Sequence, residues 1–281
     1  MKVTAVSRIR SVTRRSTVAV LGVGAMGEAL VSGLLGAGWS PAELSLCVRR
    51  GEHRDELAQR TGCDVSLDPM ETVRGRDVIV VSVKPRDVAD ILKVLAGEIT
   101  DDQTLLSLAA GVTTQTYEAQ LGAVPVVRAM PNTPALVREG VTGIAAGSHA
   151  GAHHLDVARE VLGAVGSVRI MEESLLDAVT AVSGTGPAYV FLLAEALTEA
   201  AMREGLPRDV AESFVHQTIR GAGHLLTDTS KSPAQLRYEV TSPGGTTAAA
   251  MHVLEEKGFR AVVEDAVRAA AIRARELGGG S

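Results

Sequence analysis

The chain has 281 residues, 46% apolar and 2% aromatic, which leaves room for two domains and a core filled by Ala, Val, Leu and Ile rather than by rings. With 28 Lys and Arg against 33 Asp and Glu, a formal net charge of −5 excludes an overall basic field for nucleic acid or an anionic membrane surface. Cys47 and Cys63 have no metal or redox spacing, and no apolar run reaches the roughly 18 residues of a membrane helix. The expectation is a soluble, cytoplasmic protein of a reducing compartment.

Lys2, Arg8, Arg10, Arg14 and Arg15 precede the first acid, Glu28. An acid-poor leader of this kind has the composition of a transit peptide, but its apolar moment is poor, and residues 1–16 are predicted as a disordered basic extension. Thr17-Val18-Ala19-Val20-Leu21 then reads as a buried strand running into Gly22-Val23-Gly24-Ala25-Met26-Gly27, with helical spacing over 28–35 and glycine stops at Gly36 and Gly38. Strand, G-x-G-x-x-G and helix in succession are the context of a dinucleotide fingerprint. Gly22 makes the tight turn, Gly24 admits a pyrophosphate to the backbone, and Gly27 lets helix and strand pack closely.

A second strand over 43–48 ends in Arg49-Arg50, where an NAD-preferring site usually places an acid on the ribose diol. Two guanidiniums there either fork onto a 2′-phosphate, making NADP the preferred cofactor, or are solvated loop residues. A crossover helix is expected over 54–60 and further strands over 77–83, 104–108 and 124–130, with 143–146 and 168–170 closing the sheet. Strands separated by helical patterns indicate right-handed βαβ units and a mostly parallel, Rossmann-like sheet over 17–171. Val83-Lys84-Pro85 and Met130-Pro131-Asn132-Thr133-Pro134 follow two of these strands, either as plain strand ends or as lining of the ligand crevice. His149 and His153 are expected to share a helix face with His154 nearby, but no acid or thiol accompanies them at a metal spacing. No metal is expected.

From residue 172 to 277 the pattern is helical, with helices expected over 174–182, from Pro187 to Glu204 after a break at Ser183-Gly184-Thr185-Gly186, over 207–226, and from a capping box at Ser232-Pro233-Ala234-Gln235. Two more helices span 247–257 and the stretch from Phe259, where Glu264 and Arg268 pair on one face. Residues 278–281 are expected as a flexible tail. The fold class is therefore α/β, an N-terminal mostly parallel sheet followed by an all-helical C-terminal domain. Before its fifth helix stands Thr241-Ser242-Pro243-Gly244-Gly245-Thr246-Thr247. This loop is either an ordinary helix connection with Thr246 or Thr247 as N-cap, or a nest of N–H groups for phosphate or carboxylate.

The absence of a G-x-S-x-G elbow, an H-E-x-x-H pair and a Walker lysine removes weight from nucleophilic, metal and phosphoryl-transfer chemistry. A two-domain oxidoreductase remains, with three readings. A β-hydroxyacid dehydrogenase-like enzyme needs a general base, commonly a lysine on the long helix, and the helix after Pro187 has none. A non-catalytic NADP-binding module needs no second anion loop. The third reading comes from a resemblance. The motifs at 22–27, 83–85, 130–134, 183–189 and 241–247 occur in the order and at the spacing of pyrroline-5-carboxylate reductases, over about residues 17–277.

The resemblance implies reduction of 1-pyrroline-5-carboxylate to L-proline with NADPH or NADH, the last step of proline synthesis. It also implies a homodimer or larger assembly, such as a decamer, joined through the helical domains, with no nucleic-acid or membrane partner. Carried over by residue, Ser242, Gly244, Gly245, Thr246 and Thr247 hold the substrate carboxylate, and Thr247 hydrogen-bonds near the ring nitrogen. Gly22, Gly24, Ala25, Met26 and Gly27 bind the cofactor together with Arg49, Arg50, Val83, Lys84, Pro85 and Asn132. Some family members place a carboxylate where this chain has Thr229-Ser230-Lys231. With phosphate assigned to 22–27, the second nest is free for a carboxylate, which requires the domains, or two subunits, to bring 242–247 over the carboxyl edge of the sheet.

Overall fold

The structure, a computed structural model, describes residues 15–278. The expected leader as far as residue 14, and residues 279–281 of the expected tail, lie outside the described residues. The chain forms two compact units that divide between Leu176 and Asp177.

The first unit runs β1 (Val18–Leu21), α1 (Ala25–Gly36), β2 (Leu44–Cys47), α2 (Gly51–Thr61), β3 (Asp64–Ser66), α3 (Pro69–Val73), β4 (Val78–Val81), α4 (Val88–Leu95), β5 (Thr104–Ser107), α5 (Thr114–Leu121), β6 (Val126–Met130), β7 (Gly140–Ala146), α6 (Ala152–Gly163) and β8 (Gly166–Ile170). Its strands form one eight-stranded sheet in the order β3-β2-β1-β4-β5-β6-β7-β8. Neighbours are parallel except β6 and β7. A short 3-10 turn, Thr133–Val137, joins that pair, and a connection without a crossover helix returns the chain antiparallel.

Strands β1, β2, β4 and β5 are buried along their whole length, as strands covered on both faces require. The two-residue period of β1 divides it between two cores. Val18 and Val20 pack with Leu30, Val31 and Leu34 of α1 and with Val161 and Leu162 of α6. Ala19 and Leu21 pack with Leu92 and Leu95 of α4 and with Tyr117 of α5. At the start of the unit, Arg15 lies over the Trp39 ring, 4.7 Å from its centroid, and Trp39 Nε1 donates to the Ser16 carbonyl at 3.2 Å.

Two polar groups sit deep in this unit. Ser107 Oγ and Tyr117 Oη are 2.6 Å apart. Arg128, buried on β6, reaches Glu173 at 3.2 Å, and the same carboxylate accepts from Thr114 N–H at 2.9 Å and Thr114 Oγ1 at 2.6 Å. Glu173 therefore caps α5 from outside the helix and offsets the buried guanidinium.

The second unit is helical throughout its described length. α7 (Leu176–Val179) begins at the boundary and continues through a wide π turn, Thr180–Gly184, into α8 (Gly186–Arg203). The break expected at Ser183 is thus an expanded turn rather than a loop. Thr185 N–H reaches back to Thr180 O at 2.9 Å, and its hydroxyl lies 2.6 Å from Ala181 O and 2.8 Å from Tyr189 Oη. Then follow α9 (Arg208–Asp228), α10 (Pro233–Glu239), α11 (Thr246–Glu256) and α12 (Phe259–Leu277).

These helices leave much apolar surface uncovered, with Phe191 and Leu192 each 66% exposed and Val262 64%. The helical stretch from Glu173 to Arg203 holds an 18-residue window of mean hydropathy 1.3 and is, by length and composition, long and apolar enough to cross a membrane. The sequence expectation that no run reaches that length is corrected on this point. Alanine and small residues across the π turn join two shorter apolar segments into one helical stretch.

Burial pushes the Tyr117 phenol up to about 12, against the lowering effects of its Ser107 hydrogen bond and the Arg128 charge. The folded state keeps a proton that the unfolded chain releases above pH 10, so this contribution is complete below pH 10 and is lost as the pH rises towards 12. Measured by urea unfolding, Tyr117→Phe is expected to cost about 1–2 kcal/mol at neutral pH. It is also expected to flatten the alkaline decline in stability.

Candidate active site

In the first unit the chemistry gathers where β1 ends between β2 and β4. Leu21 pairs with Cys47 on one side and Val81 on the other. The ladders run one residue further, through Gly22 N–H to Cys47 O at 3.0 Å and Ser82 N–H to Leu21 O at 2.8 Å. The chain then turns sharply at Gly22, with φ of 89°. A Cβ there would lie 2.6 Å from Val83 Cγ1 and 2.9 Å from Val83 N, and one on Gly27 would lie 2.8 Å from Gly22 O. Only glycine satisfies both the left-handed φ and the close approach.

Gly24 differs from its neighbours. It is the N-cap of α1, in extended conformation, and no side chain caps the helix. A Cβ on it would meet no atom within 4 Å. The space in front of α1 is open, and the first-turn N–H groups of Ala25, Met26 and Gly27 have no acceptor within the helix. An uncapped helix N-terminus behind a glycine turn fits a pyrophosphate by charge and by shape.

The other expected cofactor residues follow the ends of β2, β4 and β6. Val83 packs on Gly22, exposed Lys84 precedes a 3-10 turn, Pro85–Asp87, and Pro85 opens it. Arg50 is the N-cap of α2 and exposed. Arg49 is also exposed, but its Nη1 lies 3.3 Å from Asp87 Oδ2. Asp87 was not anticipated from the sequence, where an acid shortly after Lys84-Pro85 carries no motif. Asn132 is buried, and its Oδ1 accepts from Val141 N–H at 2.9 Å. That oxygen closes the turn between β6 and β7.

In the second unit, Ser242 O accepts from Gly245 N–H at 3.0 Å across a turn that holds Pro243 and Gly244, the latter with φ of 68°. Gly245 is the N-cap of α11, extended and without a side-chain cap. The alternative of Thr246 or Thr247 as N-cap is therefore overturned, since both residues lie inside the helix. Thr246, Thr247 and Ala248 present first-turn N–H groups without intrahelical acceptors, and the Ser242, Thr246 and Thr247 hydroxyls stand beside them. The turn is anchored from behind by Thr241 Oγ1, which donates to Arg237 O at 2.6 Å. This unit thus repeats the glycine N-cap seen at Gly24, but here a Cβ would meet Ser242 Oγ, so the glycine makes room for the hydroxyl beside the helix start.

The capping box of α10 forms, with Ser232 N–H on Gln235 Oε1 at 2.8 Å and Gln235 N–H on Ser232 Oγ at 3.3 Å. Just before that box, Lys231 Nζ pairs with Glu239 at 2.8 Å. The expected helix face shared by His149 and His153 does not form, because α6 begins at Ala152 and His149 precedes it. His154 instead accepts from Gly151 N–H at 2.9 Å, and burial and the neighbouring His153 lower its pKa. Among the described residues no three of His, Cys, Asp or Glu gather as a metal site. Both cysteines are free and buried, and burial raises their pKa values.

Two family descriptions match the chain. Residues 17–111 match the family described as NADP oxidoreductase, coenzyme F420-dependent, and residues 173–277 match pyrroline-5-carboxylate reductase dimerisation. The chain is 39% identical to a pyrroline-5-carboxylate reductase of Corynebacterium melassecola, over 94% of this chain and 99% of that protein. A solved pyrroline-5-carboxylate reductase from Coxiella burnetii superposes with a TM-score of 0.89 at 38% identity, covering 94% of this chain and 99% of the other. A Plasmodium falciparum pyrroline carboxylate reductase with NADP bound gives a TM-score of 0.83 at 28% identity, covering 94% and 98%. Sharing its fold and its sequence over nearly the whole length with these reductases, the chain belongs to the pyrroline-5-carboxylate reductase family.

Proposed function

We infer that the chain reduces 1-pyrroline-5-carboxylate to L-proline with NAD(P)H and that NADPH is the preferred donor. The observation that carries this reading is the second glycine N-cap, Gly245 at the start of α11, in a chain whose first, Gly24, already suits a pyrophosphate. The nucleotide supplies a hydride to the carbon of the C=N bond when bound. Gly22, Gly24, Ala25, Met26 and Gly27 hold its phosphates on backbone N–H groups, Val83, Lys84 and Pro85 line the turn beside them, and Arg49 and Arg50 favour a 2′-phosphate. Asn132 supports the neighbouring loop.

The substrate carboxylate is assigned to the N–H groups of Thr246 and Thr247 and to the Ser242 hydroxyl, with Gly244 and Gly245 keeping the approach clear. Thr247 hydrogen-bonds near the ring nitrogen. Because the protonated imine is already electrophilic, these residues need to orient and bind rather than to activate. Orientation of this kind contributes up to roughly 7–11 kcal/mol in favourable systems.

The exposed apolar faces of the second unit are read as self-association surface. Glu195, Glu199 and Arg203 share α8 with Phe191 and line a groove between α8 and α9 of roughly 1140 Å³. Charges interspersed along an apolar helix suit a protein partner better than lipid. The partner is a second copy of the chain, making a homodimer, and higher association such as a decamer is read in the same measurement. Buried free thiols at Cys47 and Cys63 accord with the reducing, cytoplasmic setting expected.

Three outcomes check this reading. Thr247→Ala is expected to lower kcat for pyrroline-5-carboxylate about tenfold, followed by nicotinamide absorbance, with no change in the unfolding midpoint; unchanged turnover removes the role given to Thr247. Gly24→Asp supplies α1 with a capping carboxylate, so the fold is kept while NADPH affinity in a fluorescence titration falls by about tenfold or more. Phe191→Asp is expected to convert the oligomer to monomer in light scattering coupled to size exclusion, and an unchanged mass overturns the assigned surface.

A further inference from the structure

Arg49 and Asp87 reach each other from different strand ends. β2 and β4 flank β1, and the side chains that follow them meet at 3.3 Å, joining the strands on either side of the Gly22 turn. Arg86 adds a second guanidinium, its Nε 3.8 Å from Asp87 Oδ1. Despite these charges, Asp87 Oδ2 is buried and has no hydrogen bond. The same oxygen lies 3.3 Å from Arg49 Nη1, so the guanidinium assigned to a 2′-phosphate already has an acidic neighbour. A ribose 2′-hydroxyl carries no charge for that carboxylate to oppose. A 2′-phosphate brings like charge.

We propose that Asp87 is a specificity-determining residue for the nucleotide. Its carboxylate engages Arg49 and opposes the 2′-phosphate of NADPH, while Arg49, Arg50 and Arg86 pull the other way. The preference for NADPH is then a balance between three cations and one anion. This inference rests on the reductase reading for the nucleotide alone and is independent of the substrate loop.

The test is Asp87→Asn in the full chain, with dissociation constants for NADPH and NADH from nicotinamide fluorescence titration and with unfolding midpoints alongside. NADPH is expected to bind about fivefold more tightly and NADH with little change, with the NADPH gain shrinking as salt is raised. Asp87→Ser is expected to move the ratio in the same direction and guards against a folding defect peculiar to the amide. A ratio of the two constants unchanged in both variants, or both constants moving together, overturns the proposal. Wild-type protein that binds neither nucleotide overturns it as well. If wild-type protein binds both nucleotides but reduces no pyrroline-5-carboxylate, the substrate reading fails, and the measured ratio still decides the role of Asp87.

Discussion

Everything chemical in the first unit depends on the turn at Gly22. The hydrogen bonds from Gly22 N–H to Cys47 O and from Ser82 N–H to Leu21 O carry both ladders to the end of β1. The chain must then leave the sheet within a residue while Val83 presses on one side and α1 on the other. A left-handed φ at Gly22 and the lack of a Cβ at Gly22 and Gly27 allow this. With the turn so placed, the N-terminus of α1 is aimed outward from the switch point of the sheet. The side chains that follow β2 and β4 are brought over the same strand end.

The two units present one device twice. In each, a glycine N-cap withholds the side chain that would satisfy the first helical turn, so the unpartnered N–H groups and the helix dipole remain available to a ligand. The difference lies in what surrounds the cap. Around Gly24 there are no hydroxyls within the loop, and the neighbours are strand ends and arginines. Around Gly245 stand Ser242, Thr246 and Thr247, with the turn fixed by Pro243 and Gly244. The first suits the phosphates of a dinucleotide, and the second suits a small carboxylate that also needs a neutral hydrogen-bonding group beside it.

Charge at the nucleotide end is less simple than two arginines. Arg49 is engaged by Asp87, so the positive charge it presents is partly offset by an acidic neighbour. Such opposition is how specificity becomes a difference of affinities rather than a single attraction. Alanine-rich helices make the second unit a surface as much as a core. Small side chains pack closely with little bulk, which leaves Phe191, Leu192 and Val262 outward.

The sequence by itself determined the parallel sheet and the glycine turn. The β-branched runs at Val18–Leu21 and Val78–Val81 leave no amphipathic alternative, and G-x-G-x-x-G has meaning in that context alone. It also located the loop at 241–247 and the capping box at Ser232, because turn and cap chemistry is local. Short β3, α3 and α5 were not legible, since three to eight residues of mixed polarity carry no period. Only the tertiary structure decided that Gly245 and not a threonine caps α11, that the break at Ser183 is a π turn, and that His149 lies outside α6. The meeting of Asp87 with Arg49 and of Glu173 with Arg128 was likewise decided there. Residues 38 and 45 positions apart are brought within reach by strand order, and strand order follows from packing two cores at once rather than from any short stretch of the chain.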